Sequence, residues 1–199
     1  VLRLPRVLAT LSPVSLWNLG FEQLYIDQPV LSIRRAMDGK IYVAGLDFSK
    51  NQATDNSAID WLFSQAEFAI HNGSIEWTDE LRAVPALMLR QVEFVMRKAL
   101  RLHSARMDAT PPPEWGERFT TMAKFREPLL SVTGGHWRDW EGQIYAAFER
   151  VDVSQLRRYA HLGVDVAQGN GALRAWVDVA RGNVVGVTAD VALAEVGMT

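Results

Sequence analysis

Apolar and polar residues alternate with a period of two along most of the chain, the pattern of strands with one apolar and one polar face. In residues 21–46, two such runs lie on either side of Asp38-Gly39. Both positions of an Asp-Gly turn tolerate a positive φ, so this dipeptide predicts a β-hairpin. Pro29 follows the first strand, where its missing N–H suits a bend or an edge.

Asn72-Gly73 predicts a second hairpin. A two-residue turn at this dipeptide would pair Ile70 with Ile75 and Phe68 with Trp77. The apolar pairs then fall on one face and the polar pairs on the other, as a hairpin register requires. We therefore expect the chain to reverse direction at Asn72-Gly73.

The end of the chain predicts a third hairpin, with its turn at Arg181-Gly182-Asn183. Two further strands are predicted around Val92–Met96 and Phe119–Phe125, where apolar and charged residues alternate. Helical signals are few and short: N-caps at Ser12, Ser57 and Asp152 precede brief apolar stretches. The predicted fold is mainly β with a few short helices, in which antiparallel hairpins form a curved sheet, open or closed.

A shift of 44 residues aligns part of the chain with itself. It places Trp17 on Trp61, Leu24 on Phe68, Ile26 on Ile70, and Pro29 on Gly73. The repeated unit is a short helix, a strand, a tight turn and a strand. Such units bury their apolar faces only against neighbouring units, so the shift predicts an array.

The chain of 199 residues begins at Val1 directly in a predicted strand. We expect a single β-rich segment, 1–199, of a longer polypeptide, divisible at most into sub-units 1–50, 51–130 and 131–199. No stretch is long and apolar enough for a membrane-spanning helix. Targeting or anchoring information is expected outside this segment.

Composition removes several function classes. The 21 Lys and Arg against 23 Asp and Glu give a net charge of −2, which argues against a nucleic-acid partner. The absence of cysteine excludes thiol catalysis, disulfides and thiolate metal sites. The four histidines have no metal-ligand spacing, so we predict no metal and no cofactor.

One candidate catalytic pair remains, Asp139 and Glu141, which lie beside Trp137 and Trp140. Paired carboxylates next to aromatic residues are typical of glycan-acting enzymes. On a strand or turn, however, such carboxylates are more often solvated. No serine nucleophile motif of the G-x-S-x-G type is present.

Many strands with one apolar face and little helix to cover them favour an open groove. Such a groove suits acyl chains, since burial contributes about 0.8 kcal/mol per methylene and needs no polar partner. The alternative is a closed core in which the same side chains pack against each other.

Particular runs of residues resemble the YhdP family of AsmA-like bacterial envelope proteins. The most specific runs are Leu8–Pro13 with Leu16-Trp17, Gly20-Phe21, Leu24–Pro29, Leu31–Arg35 and Asp38–Leu46; the others are Asn72-Gly73 with Trp77-Thr78-Asp79, Asp108–Pro111 and Gly171–Asp178. The resemblance covers essentially the whole chain.

This resemblance implies a periplasmic part of an inner-membrane-anchored protein, similar to bridge-like lipid transfer proteins. It implies passage of phospholipid between inner and outer membrane, support of the outer-membrane permeability barrier, and no catalytic residues. The expected partners are phospholipid acyl chains, the rest of the parent polypeptide and other envelope proteins. The residues predicted to line the lipid groove are Leu24, Ile26, Phe68, Ile70, Ile75, Trp77, Val92, Phe94, Phe119, Phe125, Leu173, Val177, Val187 and Val191.

Two alternatives stay open. The chain could be a structural or interaction module with a closed core that docks onto another envelope protein through an edge strand. It could also be a glycan-acting enzyme that uses Asp139 and Glu141.

Overall fold

Strands make up most of the described chain. The structure is a computed structural model, and it describes residues 2–3, 5–10, 22–47, 61, 63–129, 139–152, 155 and 168–197. The strands are β1 (Leu2–Arg3), β2 (Arg6–Thr10), β3 (Gln23–Asp27), β4 (Val30–Arg35), β5 (Ile41–Val43), β6 (Leu46–Asp47), β7 (Glu67–Asp79), β8 (Leu87–Ala99), β9 (Leu102–Thr110), β10 (Phe119–Arg126), β11 (Glu141–Asp152), β12 (Gln168–Ala180) and β13 (Asn183–Gly197).

All of these strands belong to one sheet. Its order is β13-β12-β11-β10-β9-β8-β7-β4-β5-β6, with β1 beside β4, and β3 between β2 and β7. From β7 to β13 each strand pairs antiparallel with the next in sequence. Within the described part of the chain β13 and β6 do not pair with each other, so the sheet is open. The prediction of a mainly β, hairpin-built fold is confirmed.

Helical structure is sparse among the described residues. Residues 61, 63 and 64 are helical and precede β7, and residue 155 is helical just after β11. These positions agree with the helices predicted from the caps at Ser57 and Asp152. The helix predicted from Ser12 falls outside the described residues.

The shift of 44 residues corresponds to a parallel pairing and not to a second copy of the predicted unit, because β7 continues through Asn72-Gly73 without a turn. β3 and β4 lie end to end along β7, so that Leu24 pairs with Phe68 and Ile33 with Trp77. Each of these pairs is separated by the same 44 residues as the hydrogen bond from Gln23 to Glu67. Pro29, aligned with Gly73 by the shift, separates β3 from β4 and accepts a hydrogen bond from the Ser74 N–H at 2.8 Å.

Two of the predicted hairpins are confirmed. At Asp38-Gly39, β4 and β5 pair antiparallel, and Gly39 has a φ of 83°. At the last hairpin, Arg181 (φ 52°) and Gly182 (φ 70°) form a two-residue turn, and Asn183 already belongs to β13. Positive φ at both central positions of this last turn matches the right-handed twist of the paired strands, whereas at Asp38-Gly39 only the glycine has a positive φ.

The hairpin predicted at Asn72-Gly73 is wrong. β7 continues through this dipeptide; Ile70 pairs with Phe94 of β8 rather than with Ile75, which pairs with Leu89. The positive φ of Asn72 (48°) serves a β-bulge, opposite a second bulge where Gln91 of β8 has a φ of 49°. The long β8 offers β7 many more cross-strand hydrogen bonds than a short hairpin could form, and its alternation matches that of β7 equally well.

Two clusters of buried apolar side chains are found among the described residues. One is formed by Leu24, Phe68 and Met96, and the other by Val92, Ala109 and Phe119. Each cluster joins side chains from neighbouring strands, and both belong to the same face of the sheet.

Candidate functional site

One face of the sheet carries an unbroken apolar row across eight strands. Residues directly opposite each other in paired strands point to the same face. The registers give the row Leu24, Phe68, Met96, Ala105, Ala123, Ile144, Val177 and Val187. We call the face that bears this row the groove face.

A second row on the groove face runs beside the first. It consists of Ile26, Ile70, Phe94, Met107, Thr121, Ala146, Ala175 and Ala189. A shorter third row joins Phe119, Phe148, Leu173 and Val191. On β10 to β13 the second row has only short side chains, so the bulky residues stand on either side of it.

The structure brings all the residues predicted as groove lining to this one face. Ten of them lie in the three rows. Phe125 lies opposite Gly142, two residues along β10 from Ala123 of the first row. Val92 packs in the second core cluster with Ile75 against it, and Ile75 and Trp77 line a common cavity. Their exposure is uneven: Leu24, Phe68, Val92, Phe119 and Leu173 are buried, whereas Val187 on the edge strand is 66% exposed.

The opposite face is polar. Arg97 Nε donates to Glu67 Oε2 at 2.7 Å, and Gln143 Nε2 donates to Asp178 Oδ1 at 2.8 Å. His71 Nδ1 lies 2.8 Å from Glu93 Oε2 on the same side. The sheet is therefore amphipathic: the rows on the groove face are hydrocarbon apart from Thr121, whereas the opposite face carries the ion pairs and hydrogen bonds named above.

Two apolar cavities open on the groove face. The first, which we call the Trp115 cavity, has a volume of about 400 Å³ and lies at the end of the strands where Trp77, Phe119 and Phe148 meet. The second, the Trp140 cavity, has a volume of about 330 Å³ and is lined by Phe94, Phe125, Trp140 and their neighbours. Their linings are almost wholly hydrocarbon and aromatic.

A folded-back loop forms one wall of the Trp115 cavity. The Trp115 N–H donates to the Pro112 carbonyl at 2.9 Å, and the Asp152 N–H donates to the Trp115 carbonyl at 2.8 Å. Trp115 itself is buried. The loop between β9 and β10 is thereby fixed against the end of β11.

A polar cluster borders the Trp140 cavity. His103 is 2% exposed and stacks on Trp140, with ring centroids 3.7 Å apart. His103 Nε2 lies 2.7 Å from Glu127 Oε1, to which Lys98 Nζ also donates at 2.9 Å. Sequence reasoning did not find this cluster, because His103 and Glu127 belong to no local motif.

The protonation of this cluster follows from its contacts. Burial lowers the pKa of His103, and the hydrogen bond with Glu127, which raises it, offsets only part of that effect. Burial raises the pKa of Glu127, but the hydrogen bonds from Lys98 and His103 together bring it below its ordinary value. An ionised carboxylate only accepts, so we assign a neutral His103 with its proton on Nε2.

A buried ion pair lies at the other end of the groove face. Arg35 Nε donates to Asp79 Oδ1 at 2.9 Å, and the Arg82 N–H donates to the same oxygen at 3.1 Å. Asp79 is 1% exposed. Sequence reasoning missed this pair, although the 44-residue shift aligns Arg35 with Asp79 and could have found it.

The candidate catalytic pair lies away from the groove face. Asp139 and Glu141 are both exposed, and Glu141 begins β11 on the polar side, next to Gly142. Trp140 between them is buried against His103 and is not available for stacking on a sugar. Trp137 falls outside the described residues.

In the part of the chain that the structure describes, no group of three or more metal-ligating side chains occurs. Nor does that part contain a helix of the length and hydrophobicity needed to cross a bilayer.

The fold and this face define the class of protein: an open, mainly β sheet with one continuous apolar face. The family described as YhdP protein matches residues 1–198, and the chain belongs to this family. Membership places it in the AsmA-like group of envelope proteins. No curated protein and no solved structure gives a match.

Proposed function

We propose that this chain is a non-enzymatic segment of an inner-membrane-anchored envelope protein whose periplasmic groove shields acyl chains. Through it the parent protein supports phospholipid transport between inner and outer membrane, and thereby the outer-membrane permeability barrier. Family membership supports the envelope setting. The groove face supplies the physical basis for the acyl-chain role.

The single observation that carries the proposal is the unbroken apolar row from Leu24 to Val187. It crosses eight strands without a charged side chain. An acyl chain lying along this row would exchange water for hydrocarbon at about 0.8 kcal/mol per methylene. Because the interaction is non-directional, the lipid could slide from one strand to the next without breaking hydrogen bonds.

The cavities support the same role. Each offers a few hundred cubic ångströms of apolar space, enough for part of an acyl chain. The Trp115 cavity also has charged residues at its mouth and hydrocarbon inside. This arrangement matches an amphipathic ligand whose apolar tail enters the cavity and whose polar headgroup stays in water at the mouth.

Mass spectrometry of organic extracts of the purified protein tests the proposal. We expect phospholipid in the extract at a defined ratio to protein, and none in a parallel extract of an unrelated β-rich protein from the same cells. An extract free of lipid, from protein that remains folded by circular dichroism, would contradict the proposal.

One observation favours a second candidate, a protein-interaction module. β13 is a long strand at the edge of the sheet, and Val184 and Val185 near its start are exposed. Exposed apolar edge strands are templates for pairing with another chain. Recovery of a stoichiometric protein partner together with lipid-free extracts would favour this candidate over the groove.

A further inference from the structure

An ion pair stands at the mouth of the Trp115 cavity. Arg150 Nη2 lies 3.1 Å from Glu117 Oε1, and the two side chains are 63% and 52% exposed. Both residues belong to the cavity lining, whose other members are apolar. A cation and an anion therefore lie side by side where hydrocarbon meets water.

The backbone holds these two residues together. The Glu117 N–H donates to the Arg150 carbonyl at 3.0 Å, and Gly116 pairs with Val151 in an isolated bridge. Gly116 has a φ of 136°, and a Cβ at this position would lie 2.1 Å from the Arg150 oxygen. The two charges thus stay neighbours even when their side chains turn towards another partner.

The exposed pair is easily exchanged for a ligand, because such pairs contribute little to stability in water. A headgroup with a phosphate and an ammonium gives each charge a new partner: the phosphate binds Arg150, and the ammonium binds Glu117. A headgroup with the phosphate alone leaves Glu117 unpaired beside an anion. The Arg150–Glu117 pair therefore favours a headgroup with one positive and one negative charge over a headgroup with a negative charge alone.

We infer that Arg150 and Glu117 bind the headgroup of a zwitterionic phospholipid while one of its acyl chains enters the Trp115 cavity. This inference rests on the proposed function, and it adds the class of lipid and the residues that select it. The acyl chain supplies most of the affinity, and the ion pair supplies the choice of headgroup.

Short-chain phospholipids below their micelle concentration provide the probe. Dihexanoyl phosphatidylethanolamine and dihexanoyl phosphatidylglycerol have the same tails, and only the first carries an ammonium. We expect the first to bind the protein about fivefold more tightly, as measured by calorimetry. In Glu117→Gln the preference should disappear, because Arg150 is left unpaired and the repulsion of phosphate is gone.

Glu67→Gln is the matched control. It removes the same charge and leaves Arg97 unpaired, but on the polar face of the sheet. The ratio of the two affinities should stay at its original value in this variant. An equal change in both variants, or none in Glu117→Gln, would overturn the inference.

The outcomes separate this inference from the proposed function. Binding of both lipids without preference contradicts only the headgroup assignment. Failure of both lipids to bind the unaltered protein contradicts the acyl-chain role itself.

Discussion

Arg35 and Asp79 lie side by side in the parallel strands β4 and β7, joined by a hydrogen bond from Arg35 Nε to Asp79 Oδ1. The pair is buried on the carboxylate side, whereas the adjacent Arg34–Glu80 pair is exposed. Two Arg–carboxylate pairs thus lie next to each other, one with a buried carboxylate at the end of β7 and one exposed, with Glu80 directly after β7.

Asp79→Ala should lower the free energy of unfolding by about 3 kcal/mol, because it leaves the Arg35 guanidinium without its carboxylate in a largely buried site. Urea unfolding followed by fluorescence measures the change. Glu80→Ala, which removes the exposed pair, is the control and should change stability by less than about 1 kcal/mol. Equal effects of the two substitutions would contradict the burial argument.

Gly116→Ala should lower the free energy of unfolding by about 3 kcal/mol or more, since the new Cβ would meet the Arg150 carbonyl at 2.1 Å. Gly39→Ala is the control, because it introduces the backbone strain of a positive φ without the steric clash. Gly39 also has a positive φ, 83°, but nothing lies within 4 Å of the added Cβ, so the expected loss is only about 1 kcal/mol. A Gly116→Ala variant as stable as Gly39→Ala would show that the loop yields.

Stability should fall as the pH drops below about 6.5, because burial lowers the pKa of His103 in the folded state. The unfolded chain then takes up this proton before the folded chain does. The contribution of His103 to the free energy of unfolding is fully present above pH 6.5, the ordinary pKa of histidine, and is lost as the pH falls towards the lowered pKa of the folded state. Urea unfolding between pH 8 and pH 5 measures it.

His103→Gln tests the assignment of that slope. Glutamine can still donate to Glu127 but does not titrate, so the variant should show a flatter dependence between pH 6.5 and pH 5. The carboxylates with lowered pKa, such as Asp108 and Glu127, act at lower pH and do not obscure this window. An unchanged slope in His103→Gln would assign it to another group.

Val187→Asp should reduce the amount of phospholipid recovered with the protein roughly tenfold, since it removes apolar contact with about two methylenes at about 0.8 kcal/mol each. Val187 is 66% exposed, so the substitution is not expected to unfold the sheet. Quantitative lipid mass spectrometry on variant and parent gives the ratio.

Thr188→Asp is the control for Val187→Asp. Thr188 is the next residue on the same edge strand, is also exposed, and points to the polar face. It should leave lipid recovery unchanged. A similar loss in both variants would indicate a general effect of charge on β13 rather than a groove face.

The sequence by itself determined which residues share a face. Alternation with a period of two assigns Leu24, Phe68, Val177 and Val187 to the apolar side, because successive side chains of a strand point in opposite directions. The 44-residue shift that aligns Leu24 with Phe68 is also the register of β3 with β7, although the shift by itself predicts an array of units and not a parallel pair.

Turns could be predicted from the sequence where the residues that favour positive φ form a turn, and were mispredicted where such residues form a β-bulge instead. Gly39 and Gly182 turn the chain as expected. Asn72-Gly73 has the same local preferences, yet positive φ serves a bulge as well as a turn. The length of β8 decided between them, and that is a property of residues some twenty positions away.

Apart from Arg35 and Asp79, which the 44-residue shift aligns, only the tertiary structure decided which charged groups meet. Glu117 with Arg150, and His103 with Glu127, are brought together by strands and loops that no local pattern connects. The apolar face is encoded residue by residue, because burial requires only hydrophobicity at the right parity. A polar contact also requires a particular partner at hydrogen-bond distance, and long-range pairing alone supplies it.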